Sequence, residues 1–195
     1  MRTQITFLLP VIALVAMGCA PATTSSPTPL PAETSASTAV PTSVAAAARP
    51  ALTETFSSDL HGISVSYPEG WVPRAATEPW PADGIVQMES PFGDVIEDGS
   101  SGDTAFLAVA SQALAGRSLD EFVAGYGPFT ECGAPEPIVV DGAPGIVGTE
   151  CPMALVSAGD RVFLIWLYRI DDRDWFQEIL ATVKLNPAAA LDAAP

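Results

Sequence analysis

Seven consecutive apolar residues, Val162-Phe163-Leu164-Ile165-Trp166-Leu167-Tyr168, set the strongest limit on how this chain folds. The run follows the turn residues Ala158-Gly159-Asp160 and reads as a strand. Successive side chains of a strand point to opposite faces, so both faces of this one are apolar and need cover. A sheet with one wet face cannot host it. The run therefore predicts an α+β domain, in which an antiparallel β-sheet carries helices or loops on both faces and 161–169 is central. The alternative is that one face forms an oligomer interface.

The flanking sequence supplies the other elements. Thr53 to Ser57 reads as a strand, Asp59-Leu60-His61-Gly62 as a turn, and Ile63-Ser64-Val65-Ser66-Tyr67 alternates as a half-buried strand does. Pro68-Glu69-Gly70 then turns the chain into Trp71. Further strands are expected at Ile85 to Glu89, Thr104 to Leu114, Pro137 to Val140 and Gly145 to Glu150. Asp141-Gly142 joins the last two as a hairpin turn, since both residues tolerate positive φ. Ser118-Leu119-Asp120-Glu121 fits a capping box for a short helix that glycines 125 and 127 end. A second helix is expected from Asp174 to Leu185. Asp171 or Asp172 is its N-cap, Pro187 its stop, and Lys184 complements its dipole.

Ahead of this domain the composition changes twice. Residues 1–18 have Arg2 in a short basic start and a 13-residue apolar core from Ile5 to Met17. Thirteen residues rise about 20 Å as a helix, short of the roughly 30 Å hydrocarbon layer, which favours a cleaved export signal over a membrane span. Val15-Ala16-Met17-Gly18-Cys19 resembles the bacterial lipobox, whose small residues enter a peptidase cleft and whose cysteine accepts the lipid. Cys19 is thus the expected lipidation site, against the alternative of an ordinary secretory signal with an incidental cysteine. Residues 19–52 are dominated by Ala, Pro, Ser and Thr, lack apolar periodicity, and read as a disordered linker. The domain is expected over 53–186, with a disordered tail over 187–195.

The opening segment Phe56 to Trp71 (FSSDLHGISVSYPEGW) resembles the first hairpin of PsbP-like domains. Ser118 to Phe122 resembles their middle helix, Val139 to Ala143 the turn before their paired strands, and Arg161 to Leu185 their last strand and C-terminal helix. The resemblance implies a PsbP-like α/β sandwich. It also implies a mostly non-catalytic family of extrinsic photosystem subunits, adaptors and bacterial lipoproteins. The matched positions are turns and core, so no active site carries over.

Charge narrows the partners. The 195 residues hold 8 Lys+Arg against 23 Asp+Glu, a formal charge of −15. Phosphate recognition needs clustered cations, so nucleic acid is not expected. The chain holds one histidine, His61, which sits in the 59–62 turn and reads as structural because a catalytic base needs a nearby nucleophile and an orienting group. The stretch Glu89 to Asp103 is acidic, and Asp94, Glu97, Asp98 and Asp103 are weak candidates for a hard cation such as Ca²⁺. Their spacing fits no EF-hand, so a solvated loop is the expected state. Cys132 and Cys151 flank the hairpin almost symmetrically and are expected to form a structural disulfide rather than a redox pair, as no CxxC is present. Trp71, Trp80 and the Pro73 to Pro81 stretch could line a recognition surface, but a tryptophan after such a turn more often plugs a core.

The resulting expectation is a lipoprotein of the bacterial cell envelope, held on the extracytoplasmic side through its lipid, with an acidic head that binds or assembles with a protein partner. No catalytic residues, cofactor or resident metal are expected. The alternatives are a ligand- or Ca-binding protein, or an enzyme with an unrecognised carboxylate site.

Overall fold

The computed structural model describes residues 49–100 and 105–192. The leader, Cys19, almost all of the linker and Asp103 lie outside the described residues. The chain divides into two units, Met1–Val44 and Ala45–Pro195, and every described residue belongs to the second.

In chain order the strands before the first helix are β1 (Leu52–Ser58), β2 (Ile63–Pro68), β3 (Trp71–Arg74), β4 (Asp94–Asp98) and β5 (Phe106–Ala113). Helices α1 (Leu119–Gly125) and α2 (Gly127–Thr130) follow. Then come β6 (Pro135–Val140), β7 (Ala143–Gly148), β8 (Met153–Ala158), β9 (Arg161–Tyr168), α3 (Arg173–Thr182) and β10 (Lys184–Leu185). Seven strands form one antiparallel sheet in the order β3-β4-β5-β9-β8-β7-β6, and β1-β2-β10 form a second. The apolar run is thus the middle strand of seven, with β5 and β8 on either side. Prolines occupy both edge strands, Pro73 on β3 and Pro135 and Pro137 on β6. They remove ladder donors where a further strand could add.

Alternation along β9 builds two cores. Phe163, Ile165 and Leu167 face one core with Val65 of β2 and Trp175, Phe176, Ile179 and Leu180 of α3. Val162 and Leu164 face the other, with Phe122 of α1, Phe129 of α2 and Trp80. The chain covers both faces of the sheet with its own elements, as the run required. The Asp141-Gly142 turn has positive φ at both residues, 49° and 79°. It sets the β6–β7 register, Val140 opposite Ala143.

Local caps match their sequence signals. Ser118 accepts from the Glu121 N–H, and the Glu121 carboxylate accepts from the Ser118 N–H at 2.8 Å. Those bonds hold the Glu121 carboxyl below its ordinary range. Replacing Ser118 by Ala removes the hydroxyl half of this box and is expected to cost about 1 kcal/mol in urea unfolding. Asp172 is the N-cap of α3, accepting from the Trp175 N–H at 3.0 Å.

Five expectations are corrected. Ile85 to Glu89 is a loop, not a strand: a turn bond from Ser90 N–H to the Gln87 carbonyl closes it, and only Val86 is fully buried. The acidic stretch is not a solvated loop throughout, because Asp94–Asp98 is β4, laid between β3 and β5 with Asp94, Val95 and Ile96 buried. Gly127 starts α2 instead of only ending α1. The last helix stops at Thr182, since Val183 turns extended and Lys184–Leu185 pair with β2. Lys184 therefore serves no helix dipole; it bonds Asp141 at 2.9 Å. Finally, residues 187–192 are not a loose tail. Asn186 N–H donates to the Gly62 carbonyl, Leu191 N–H to the Leu60 carbonyl, and Asp192 pairs with Arg161. The linker boundary also moves slightly: β1 begins at Leu52, and Arg49 already bonds Asp172, Asp174 and Glu178 on α3.

Candidate functional site

Where the cover of the sheet's second face ends, β9 presents Trp166 and Tyr168. Both are only partly buried and pack on Phe106 of β5. Phe106 meets Trp166 edge-on at 5.5 Å and stacks on Tyr168 at 4.8 Å between ring centroids. Trp166 and Tyr168 also meet edge-on at 5.1 Å. These separations lie in the favourable range for aromatic pairs, so the three rings form one rigid platform. Arg169 follows in the left-handed region, φ 61°, and lays its guanidinium 5.5 Å from the Tyr168 ring centre.

Two of these rings, Trp166 and Tyr168, floor an open cleft of about 730 Å³, walled by Ile85 and Gln87 of the 85–89 loop, Pro128 and Glu131 of the α2 segment, and the cysteine pair. A second hollow of about 440 Å³ continues past Tyr168 toward Met88, Glu89 and Phe106. The two share Gln87, Trp166, Tyr168 and Arg169. Such a volume is that of an ordinary ligand site. Flat aromatic faces, one cation and a few amide and carboxylate groups suit recognition of apolar or planar groups. The ionisable side chains at the cleft are Glu89, Glu131, Tyr168 and Arg169 among the described residues.

Cys132 and Cys151 are joined by a disulfide with Cα atoms 4.9 Å apart, inside the normal range for a bridge. It closes the loop containing the whole β6–β7 hairpin. Gly148 permits the approach: a Cβ there would lie 2.5 Å from that of Cys132.

The remaining sequence candidates are dispersed. Asp94 is buried, and one carboxylate oxygen accepts from the Ala76 N–H at 2.8 Å. Glu97 pairs with Arg74 at 3.3 Å, and Asp98 accepts from Ser100. Asp103 is outside the described residues, as is Cys19. Among the described residues no three His, Cys, Asp or Glu side chains gather as a metal site. Trp80 is core, edge-on to Phe122 and Tyr126, and Trp71 meets Trp175 edge-on at 5.9 Å. His61 does sit in its turn, but fully buried. Its Nδ1 accepts from the Ser111 N–H at 3.0 Å, and burial holds its pKa below the ordinary value against the pull of Asp94. It cannot touch a ligand.

Sequence reasoning placed Trp166 and Tyr168 in the core and missed the platform. The available signal was two large aromatics with polar tips at the end of a run otherwise filled by aliphatic residues and Phe.

No family model matches the chain, and no curated protein does. Among solved structures it is similar to the solution structure of cyanobacterial PsbP (CyanoP) from Synechocystis sp. PCC 6803. The identity is 14%, 68% of this chain and 92% of that chain are covered, and the TM-score is 0.44.

Proposed function

We propose that this chain is an extracytoplasmic lipoprotein, anchored through Cys19, whose acidic head is a non-catalytic module that captures a protein partner in the aromatic cleft. The cleft carries the reading: an open site floored by Trp166 and Tyr168, which pack on buried Phe106, and Trp and Tyr are residue types enriched in binding hot spots. The lipobox-like Val15 to Cys19 and the Pro-rich spacer supply the anchoring half of the proposal; a diacylglyceryl group brings two acyl chains, which hold firmly where one alone would bind only marginally. The PsbP-like sequence resemblance, with its mostly non-catalytic members, agrees with binding. Enzymatic use of the acids is the weaker alternative, since Asp94 and His61 are shut away from substrate.

Affinity capture with the full-length, detergent-extracted protein tests the cleft. A partner recovered with the native chain is expected to be lost at least tenfold with Trp166→Ala, a change worth about 1.4 kcal/mol or more of binding. Undiminished recovery would place the contact elsewhere. Intact mass of the membrane-extracted protein tests the anchor. A mature chain with unmodified Cys19 would sink that half.

A further inference from the structure

We infer that the turn carrying His61 and the C-terminal segment 186–192 form an acid-sensitive latch, closed while His61 is neutral and opened by one proton. The inference is independent of the cleft and rests on a buried network that no binding role uses.

His61 is wholly buried, and its ring and its backbone both engage Ser111 of β5. Nδ1 accepts from the Ser111 N–H, and the His61 carbonyl accepts from the Ser111 hydroxyl at 2.9 Å. Accepting at Nδ1 requires the neutral ring with its proton on Nε2, a tautomer assigned from the hydrogen-bond pattern. Nε2 lies toward the Phe92 carbonyl without a well-formed hydrogen bond, and the second oxygen of buried Asp94 also lacks a partner. The charged groups facing the ring are Asp94 from β4, which favours a proton, and Arg161 from β9, which opposes it.

The same turn holds the strap. Its carbonyls at Leu60 and Gly62 accept from the Leu191 and Asn186 N–H groups at 2.9 and 2.7 Å. Arg161, itself buried, links the two sides: it donates to the Ser111 hydroxyl, to the Leu191 carbonyl at 3.1 Å, and to Asp192. Gly62, at φ 61°, lets the strands of this junction touch, since a Cβ there would lie 2.2 Å from the Asn186 carbonyl oxygen.

A proton on Nδ1 would set two donors against each other across 3.0 Å, so the ring and Ser111 must part. The turn moves with the ring, and its carbonyls are the strap's anchors. Apart from the Arg161 bonds to Leu191 and Asp192, little else holds the strap. Its helical turn Pro187–Ala189 buries no side chain, whereas the sheet beneath is held by two cores. Opening is therefore local, at the low end of the stability range within the domain. The sign follows from linkage. The closed state binds the proton less readily than the open state, so the latch is stable above the ordinary histidine pKa of about 6.5 and weakens as pH falls below it.

Amide exchange of the full chain, expressed as protection factors between pH 7.5 and 5, tests this. Expected is a loss of protection at Leu191 and Asn186, up to tenfold per pH unit below the onset, while Ile165 in β9 keeps its protection. His61→Asn retains an acceptor for the Ser111 N–H and should make strap protection independent of pH over that range. Asp94→Asn, which keeps an oxygen for the Ala76 N–H, removes a group that favours the proton only in the closed state. It should leave the onset near the ordinary histidine pKa of about 6.5 and carry the loss of protection further as pH falls, a second reading if His61→Asn does not fold. Strap protection that stays constant in the native chain, or that falls only together with Ile165, would overturn the latch, as would a loss of protection that ends at higher pH in Asp94→Asn than in the native chain.

Discussion

Phe163→Ala is expected to destabilise the domain by about 3–5 kcal/mol, the largest effect of any single truncation proposed for this protein. Phe163 is fully buried in the middle strand, opposite Ser111 on one side and Val156 on the other. It belongs to the core shared with α3 and β2. Strands hydrogen-bonded on both sides cannot close over the space left by the ring, so most of the cavity term persists. Urea unfolding should show the loss as a lowered midpoint with an unchanged slope. Trp166→Ala, three residues on and on the opposite face, provides the contrast. Trp166 is only partly buried at the cleft floor, and its removal should spare most of the stability while abolishing capture. Equal destabilisation by the two would mean that Trp166 is core and the cleft is not a preformed site.

That contrast also shows what the sequence could and could not disclose. The run from Val162 to Tyr168 demanded cover on both faces, and β9 has it, at the centre of seven strands. Asp141-Gly142 specified its hairpin because few residues accept two successive positive φ angles. Ser118 and Glu121 specified a helix start for an equally local reason. Failures came where local preference was overruled from a distance. Val183-Lys184-Leu185 continues the helical pattern of α3, yet the strand edge of β2 and the Asp141 carboxylate capture it. That capture draws the Asp141 pKa down, chiefly through the Leu185 N–H. Acids and glycines disguised β4, whose two apolar residues, Val95 and Ile96, are enough only because β3 and β5 pair with it on both sides. Periodicity marks a residue as apolar but not where its cover stops. The polar tips of Trp166 and Tyr168 set them apart from Leu164, but that they stand part-exposed at the cleft follows only from where the covering elements end.

Loss of the Cys132–Cys151 bridge, by reduction or by Cys132→Ser with Cys151→Ser, is expected to cost about 3 kcal/mol. The figure comes from the chain entropy of a loop whose ends are 19 residues apart. For a domain of this size that corresponds to a fall in Tm of about 6–12 °C. The bridge bears on the cleft as well as on stability. Cys132 follows α2, and the residues beside Cys151, Pro152 and Met153, lead into β8; all of these line the cleft. Without the bond, the carbonyl of Cys132 still accepts from the Glu150 N–H at 2.8 Å, so the hairpin keeps its register while the wall loses its covalent brace. Reduction should thus weaken partner capture at temperatures where circular dichroism still reports a folded sheet. If stability falls as expected but capture is unchanged up to the melting transition, the wall near Cys132 takes no part in recognition, and the binding surface reduces to the Phe106–Trp166–Tyr168 platform. If thiol counting under denaturation finds both cysteines free in the isolated protein, the brace does not exist and the stability loss should vanish with it.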